Sequence, residues 1–104
     1  MLMGYLSHEP LNPADATEMI RGVARFGTVQ PSWHCSHQSM PDSNFSYQDL
    51  MAILLNGEVH EPPEYNTTTC QYRYRVKGET IDGDAAAVVL VIADHRTLSV
   101  VTIF

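Results

Sequence analysis

Positive charge is scarce in this chain: six Lys and Arg stand against twelve Asp and Glu, giving a formal net charge of −6 at pH 7. That balance excludes a protein that grips a polyanion with its whole surface, so any phosphate-binding face has to be local. Cysteine is almost missing too. Cys35 and Cys70 do not make a disulfide framework of the secreted kind, and the first residues show no charged-then-apolar signal pattern. A reduced cytoplasmic protein with free thiols is therefore expected. No apolar run is long enough to cross a bilayer as a helix. There is no Gly-rich phosphate loop, Gly-x-Ser-x-Gly elbow or His-Glu-x-x-His motif, no repeat and no low-complexity tract. Nothing in the pattern asks for a cofactor.

What is present fits one modest core: 104 residues, 44% hydrophobic and 17% charged. The C-terminal third organises the rest. In Gln71-Tyr-Arg-Tyr-Arg-Val-Lys77, the apolar Tyr72, Tyr74 and Val76 alternate with Arg73, Arg75 and Lys77, as in a strand with one apolar and one cationic face. Asp82-Gly83-Asp84 reads as a tight turn, the Ala- and Val-rich run from Ala85 to Ala93 as a second strand, and Leu98 to Phe104 as a third. Short turns between them predict an antiparallel meander.

Upstream, residues 1–11 read as a flexible arm and 12–104 as a single domain. Asn12 is a good helix N-cap, Pro13 suits the first helical position, and Ala16, Met19, Ile20 and Val23 share one helical face before Gly27. Thr28 to Ser32 is short and extended. Trp33 to Asp42 has room for one or two helical turns ended by Pro41. Ser46 and Asp49 resemble a capping box with an aspartate in place of the longer usual acid. Behind them Tyr47, Leu50, Met51 and Leu54 form the expected buried stripe, and Asn56-Gly57 the stop. Pro62-Pro63 should end regular structure before the sheet. Helices followed by strands predict an α+β fold, with two to three helices packed on one sheet face.

Several residue sets bear on chemistry. His34, Cys35 and His37 are zinc-ligand types, but a closed site needs four ligands, and Cys70, His60 and His95 each stand alone, so no metal site is assigned. Asp82 and Asp84 are explained by the turn. Three of the six basic residues, Arg73, Arg75 and Lys77, fall on one side of one strand, which is either a solvated face or an anion-binding one. Cleavage of RNA by its own 2′-hydroxyl needs a proton acceptor, cations for the charge on phosphorus and a donor for the leaving oxygen. Arg73, Arg75, His34 and Tyr74 supply those types as candidate catalytic groups, with Lys77, His37 and His95 as candidate substrate-binding groups. Tyr72 and Tyr74 are read first as core aromatics.

The order of motifs resembles the domain-of-unknown-function family numbered 4258. It is carried by Phe26-Gly-Thr-Val, His34-Cys35 followed by Met40, the helix from Phe45 to Val59, Pro62-Pro63-Glu64, the run from Tyr74 to Asp84 and the closing Val-Thr-Ile-Phe. It covers about residues 12 to 104. The resemblance implies a fold similar to RelE, BrnT and MqsR ribonuclease toxins, with an RNA substrate and an antitoxin protein as partner. The chain departs from that family where Ser39 and Ser43 replace arginines on either side of Met40, and the spacing from His34 to Met40 is one residue longer. Two functions thus stand side by side: a metal-independent endoribonuclease toxin, and a non-catalytic protein-binding or regulatory domain on the same scaffold. Oligomeric state is not readable from the pattern.

Overall fold

The computed structural model describes residues 9–42 and 44–104. Helix α1, Pro13–Phe26, starts where Asn12 accepts a hydrogen bond from the Asp15 amide at 2.8 Å. It stops where the Gly27 amide returns to the Val23 carbonyl. All four residues of its expected apolar stripe are buried. Gly22, mid-helix, costs about 1 kcal/mol against alanine. The helix must therefore recover stability from packing.

Strand β1, Thr28–Pro31, follows directly. A π-helical turn, Cys35–Ser39, then continues into the short helix α2, Met40–Asp42, so Pro41 lies inside the turn and does not precede its end. Helix α3 spans Tyr47–Asn56. Its capping box closes in both directions: the Asp49 amide donates to Ser46 Oγ at 3.1 Å, and the Ser46 amide donates to Asp49 Oδ2 at 3.0 Å. The short aspartate reaches after all. Backbone hydrogen bonds from Ser46 and then Ile81 hold its carboxyl below the usual range. The buried stripe of α3 is Leu50, Ile53 and Leu54, while Tyr47 faces outward.

Among the described residues six strands form one mixed sheet, which keeps the α+β class but enlarges the expected three-stranded meander. Strands β4 (Gln71–Glu79), β5 (Ala85–Asp94) and β6 (Thr97–Ile103) are antiparallel neighbours as expected. Strand β1 adds to β6 in parallel, and β2 (Glu58–Val59) and β3 (Glu64–Asn66) share the far edge of β4. Regular structure stops over residues 60–63, as expected for Pro62-Pro63, and the edge strand β3 begins just after the residue without an amide donor. Val101 is the extra residue between the pairs Val89↔Thr102 and Leu90↔Val100, a bulge in β6.

Both long helices lie on one face of this sheet. Val88, Leu90 and Ile92 of β5, Leu98, Val100 and Ile103 of β6, and Tyr74 and Val76 of β4 form the core with Ile20, Leu50, Ile53 and Leu54. Each such aliphatic side chain contributes about 1.5–3 kcal/mol by leaving water. Gly57 allows α3 to close on β4: a Cβ there would sit 2.6 Å from the Ile53 carbonyl oxygen and 2.7 Å from that of Lys77. Arg21 ties α1 to the same corner, donating from Nη2 to the Gly57 carbonyl at 2.9 Å and the Asn56 carbonyl at 3.1 Å. The chain ahead of α1 is fixed through Tyr74, whose hydroxyl donates to Glu9 Oε2 at 2.8 Å and accepts from the Leu11 amide at 3.1 Å.

Candidate binding site

Strand alternation decides which candidate residues meet. With Tyr74 and Val76 turned to the helices, Arg73, Arg75 and Lys77 project from the opposite face. Beside them on β5 stand Ala87, opposite Lys77, and Val89, opposite Arg75. Beyond Val89 lies Thr102 of β6. The Arg75 guanidinium sits 5.3 Å from the centre of the Phe104 ring, within cation–π range, and that ring is 52% exposed.

The edge of β4 gives the three cations different surroundings. Glu64 of β3 stands opposite Arg73, and Glu58 of β2 opposite Lys77. Opposite-charge pairs facing each other across a sheet are mutually favourable. Arg75 falls in the gap between β2 and β3, where no strand residue faces it on that side. A cleft of about 140 Å³ opens there, walled by Glu61, Pro62, Glu64, Arg73, Arg75 and Val89, with the fully buried Tyr74 behind them. Nε of Arg73 is buried and has no hydrogen-bond partner among the described residues. A buried donor left unpaired is uncommon in a folded protein. The cleft therefore carries both signs of charge and an apolar wall.

The proton-transfer candidates do not converge on this cleft. Tyr74 is 0% exposed, its hydroxyl is bound to Glu9 and Leu11 on the helix side, and burial first of all pushes its pKa upward. That places it in the core, on the wrong face to act with Arg73 and Arg75. His95 lies in the turn after β5, beside Phe26 and Gly27 at one end of the molecule, several residues along the strand from Val89. His34 and His37 are exposed around the π-helical turn. The His37 ring stacks on Trp33, with centroids 4.7 Å apart and planes 11° from parallel. Its Nδ1 lies 3.1 Å from the Trp33 carbonyl and 3.0 Å from Ser36 Oγ.

One link joins that turn to the cationic face. Ser39 Oγ is 2.7 Å from Thr102 Oγ1, so Arg75, Val89, Thr102 and Ser39 form a continuous row across β4, β5 and β6. Ser39 is buried, and its small hydroxyl fits where an arginine would need the space. Ser43 lies outside the described residues. Cys35 is fully buried, which pushes its thiol pKa up, and so is turned away from the exposed His34 and His37. No group of three potential metal ligands occurs among the described residues. No family model, curated protein or solved structure matches the chain.

Glu61, Glu64, Val89 and Phe104 escaped sequence reasoning. Finding Glu64 needed the register of a three-residue strand, and finding Phe104 needed the position of the chain's last residue beside β5, where it exchanges two backbone hydrogen bonds with Ala87 at 2.7 and 2.9 Å.

Proposed function

We propose that this is a non-catalytic binding domain that takes a protein segment on the sheet face opposite α1 and α3. The observation that carries this reading is the mixed charge of the cleft: Arg73 and Arg75 stand together with Glu61 and Glu64. A polypeptide can offer a carboxylate to Arg75, a basic group to the glutamates and an apolar side chain to Phe104 and Val89. RNA offers one repeating negative charge, which the two glutamates and the net charge of −6 oppose. An antitoxin-like protein, which the resemblance to the 4258 family implies, is one partner that would present such a segment. A meeting in the cytoplasm is part of the same proposal and agrees with two free thiols and with no described helix long and apolar enough to cross a membrane.

The endoribonuclease toxin is the second reading. It is favoured by the row from Arg75 to Ser39, which brings the turn bearing His34 and His37 toward the cationic strand. Inducible expression in a bacterial host separates the two. For the binding domain, growth and RNA integrity are the same for the wild type and for Arg73→Ala/Arg75→Ala. Growth arrest with RNA cleavage that disappears in the double variant would overturn it in favour of the nuclease.

A further inference from the structure

The cationic strand accounts for three of the six basic residues. Two of the others, Arg25 and Arg96, lie near a second, unrelated surface feature at the C-terminal end of α1. There a depression of about 370 Å³ is lined by Met19, Gly22, Val23, Phe26, His95 and Arg96. Its ionisable lining residues are the last two. Phe26 is 80% exposed at its wall. Gly22 is equally unexplained within one copy, because a Cβ added there meets nothing within 4 Å. A poor helix former stands at a spot where the chain itself needs no room.

The opposite end of β5 carries the complementary shape and charge. The turn from β4 to β5 holds Ile81 outward, 63% exposed, with Asp82 and Asp84 exposed beside it. This tip is rigid. The Gly83 amide donates to the Thr80 carbonyl at 3.0 Å, the Asp84 amide donates to Thr80 Oγ1 at 3.1 Å, and Gly83 takes a φ of 88°, which glycine tolerates. The Ile81 amide is anchored to Asp49 Oδ1 at 3.1 Å. An isoleucine flanked by two carboxylates is thus presented at one end of the molecule. An apolar depression flanked by His95 and Arg96 opens at the other.

We infer that the protein self-associates head to tail, the Ile81 tip of one copy seating in the Phe26 depression of the next. The ten residues of β5 separate the two features by about 33 Å, close to the 38 Å long dimension of the molecule. One copy therefore cannot fill its own depression. A two-fold dimer through the depression would set Arg96 against Arg96, whereas the heterologous contact pairs opposite charges and repeats from copy to copy. The contact is small, so association shows at high protein concentration. It uses neither Arg73 nor Arg75 and stands apart from the binding function proposed above.

Sedimentation velocity on the full chain over a concentration series tests it, with Phe26→Asp spoiling the depression and Ile81→Lys spoiling the tip. Both side chains are largely exposed, so both variants should fold, which circular dichroism checks; Phe26→Ser and Ile81→Ser replace either that does not. The wild-type mass is expected to rise past that of a dimer, and each variant alone to remain monomeric. Mixed in equal amounts, the two variants are expected to form a dimer and nothing larger, the intact tip of one filling the intact depression of the other. A wild type that stays monomeric up to millimolar concentration, variants that associate like the wild type, or a mixture that stays monomeric would each overturn the inference.

Discussion

The two faces of the sheet are built from the same three strands and behave as different materials. On the helix side Leu90, Val88, Val100 and Tyr74 are fully buried and shape-matched to α1 and α3. On the other side the same strands present Val89, Thr102 and a row of cations beside Phe104, and neither α1 nor α3 packs there. Stability is concentrated on the first face, and the recognition proposed above belongs to the second. The alternation of β4 is what allows one strand to serve both, since each residue faces only one of them.

The sharpest way to break that contrast is to truncate one aliphatic side chain on each side of β5. Leu90→Ala should cost about 2–5 kcal/mol in denaturant unfolding, whereas Val89→Ala, only partly buried next to it, should cost well under half as much. Equal losses would mean that the outer face is also packed. Next in size is Gly57→Ala, where the new methyl meets two carbonyl oxygens; overpacking of this kind costs about 1–3 kcal/mol. Gly22→Ala, with open space around it, should do the reverse and stabilise the monomer by about 0.5–1 kcal/mol.

A smaller effect is expected at Tyr74, where the core meets the incoming chain. Tyr74→Phe keeps the ring and removes both hydroxyl bonds, for a loss of about 1 kcal/mol. Burial raises the pKa of Glu9, outweighing the opposing effect of its bond from Tyr74. Because the folded value lies above the ordinary 4.5, this contribution is complete below that pH and is lost as pH rises through the folded value. Hydrogen exchange of the Leu11 amide should therefore show weaker protection as pH climbs through that window, after correction for intrinsic exchange, and Glu9→Gln should flatten the trend. The smallest effect on folding belongs to the cationic row. Arg75→Ala should change stability by no more than about 0.5 kcal/mol, while weakening whatever the face binds.

The helix caps, the stripe of α1 and the meander β4–β5–β6 were readable in the sequence because each rests on local chemistry or on a short period. Asn12 with Pro13, the alternation from Tyr72 to Lys77 and the Asp-Gly turn all act within a few residues. Strand β1 was legible as a short extended stretch but not as a member of the sheet, and β2 and β3 were not readable as strands. They hold four, two and three residues, and their ladders are fixed by distant partners such as Leu98 and Arg73 rather than by their own pattern. The candidate site divided along the same line. Alternation located Arg73, Arg75 and Lys77 on one face, but it also assigns Tyr74 to the other, so those four cannot form a single constellation. His95 failed to join because β5 carries it to the far end of the molecule, a separation that residue types do not reveal.

The most direct test of recognition by the outer face is fluorescence anisotropy at low salt with two labelled probes, a mixed-charge peptide alternating Glu, Leu and Lys and a single-stranded oligouridylate, each titrated with wild type and with Arg73→Ala/Arg75→Ala. Binding of the peptide that weakens by about tenfold or more in the double variant, equivalent to about 1.4 kcal/mol, with little binding of the oligouridylate, is the result predicted here. Tight binding and cleavage of the oligouridylate, with the peptide ignored, would contradict it and make the cationic strand part of a nuclease.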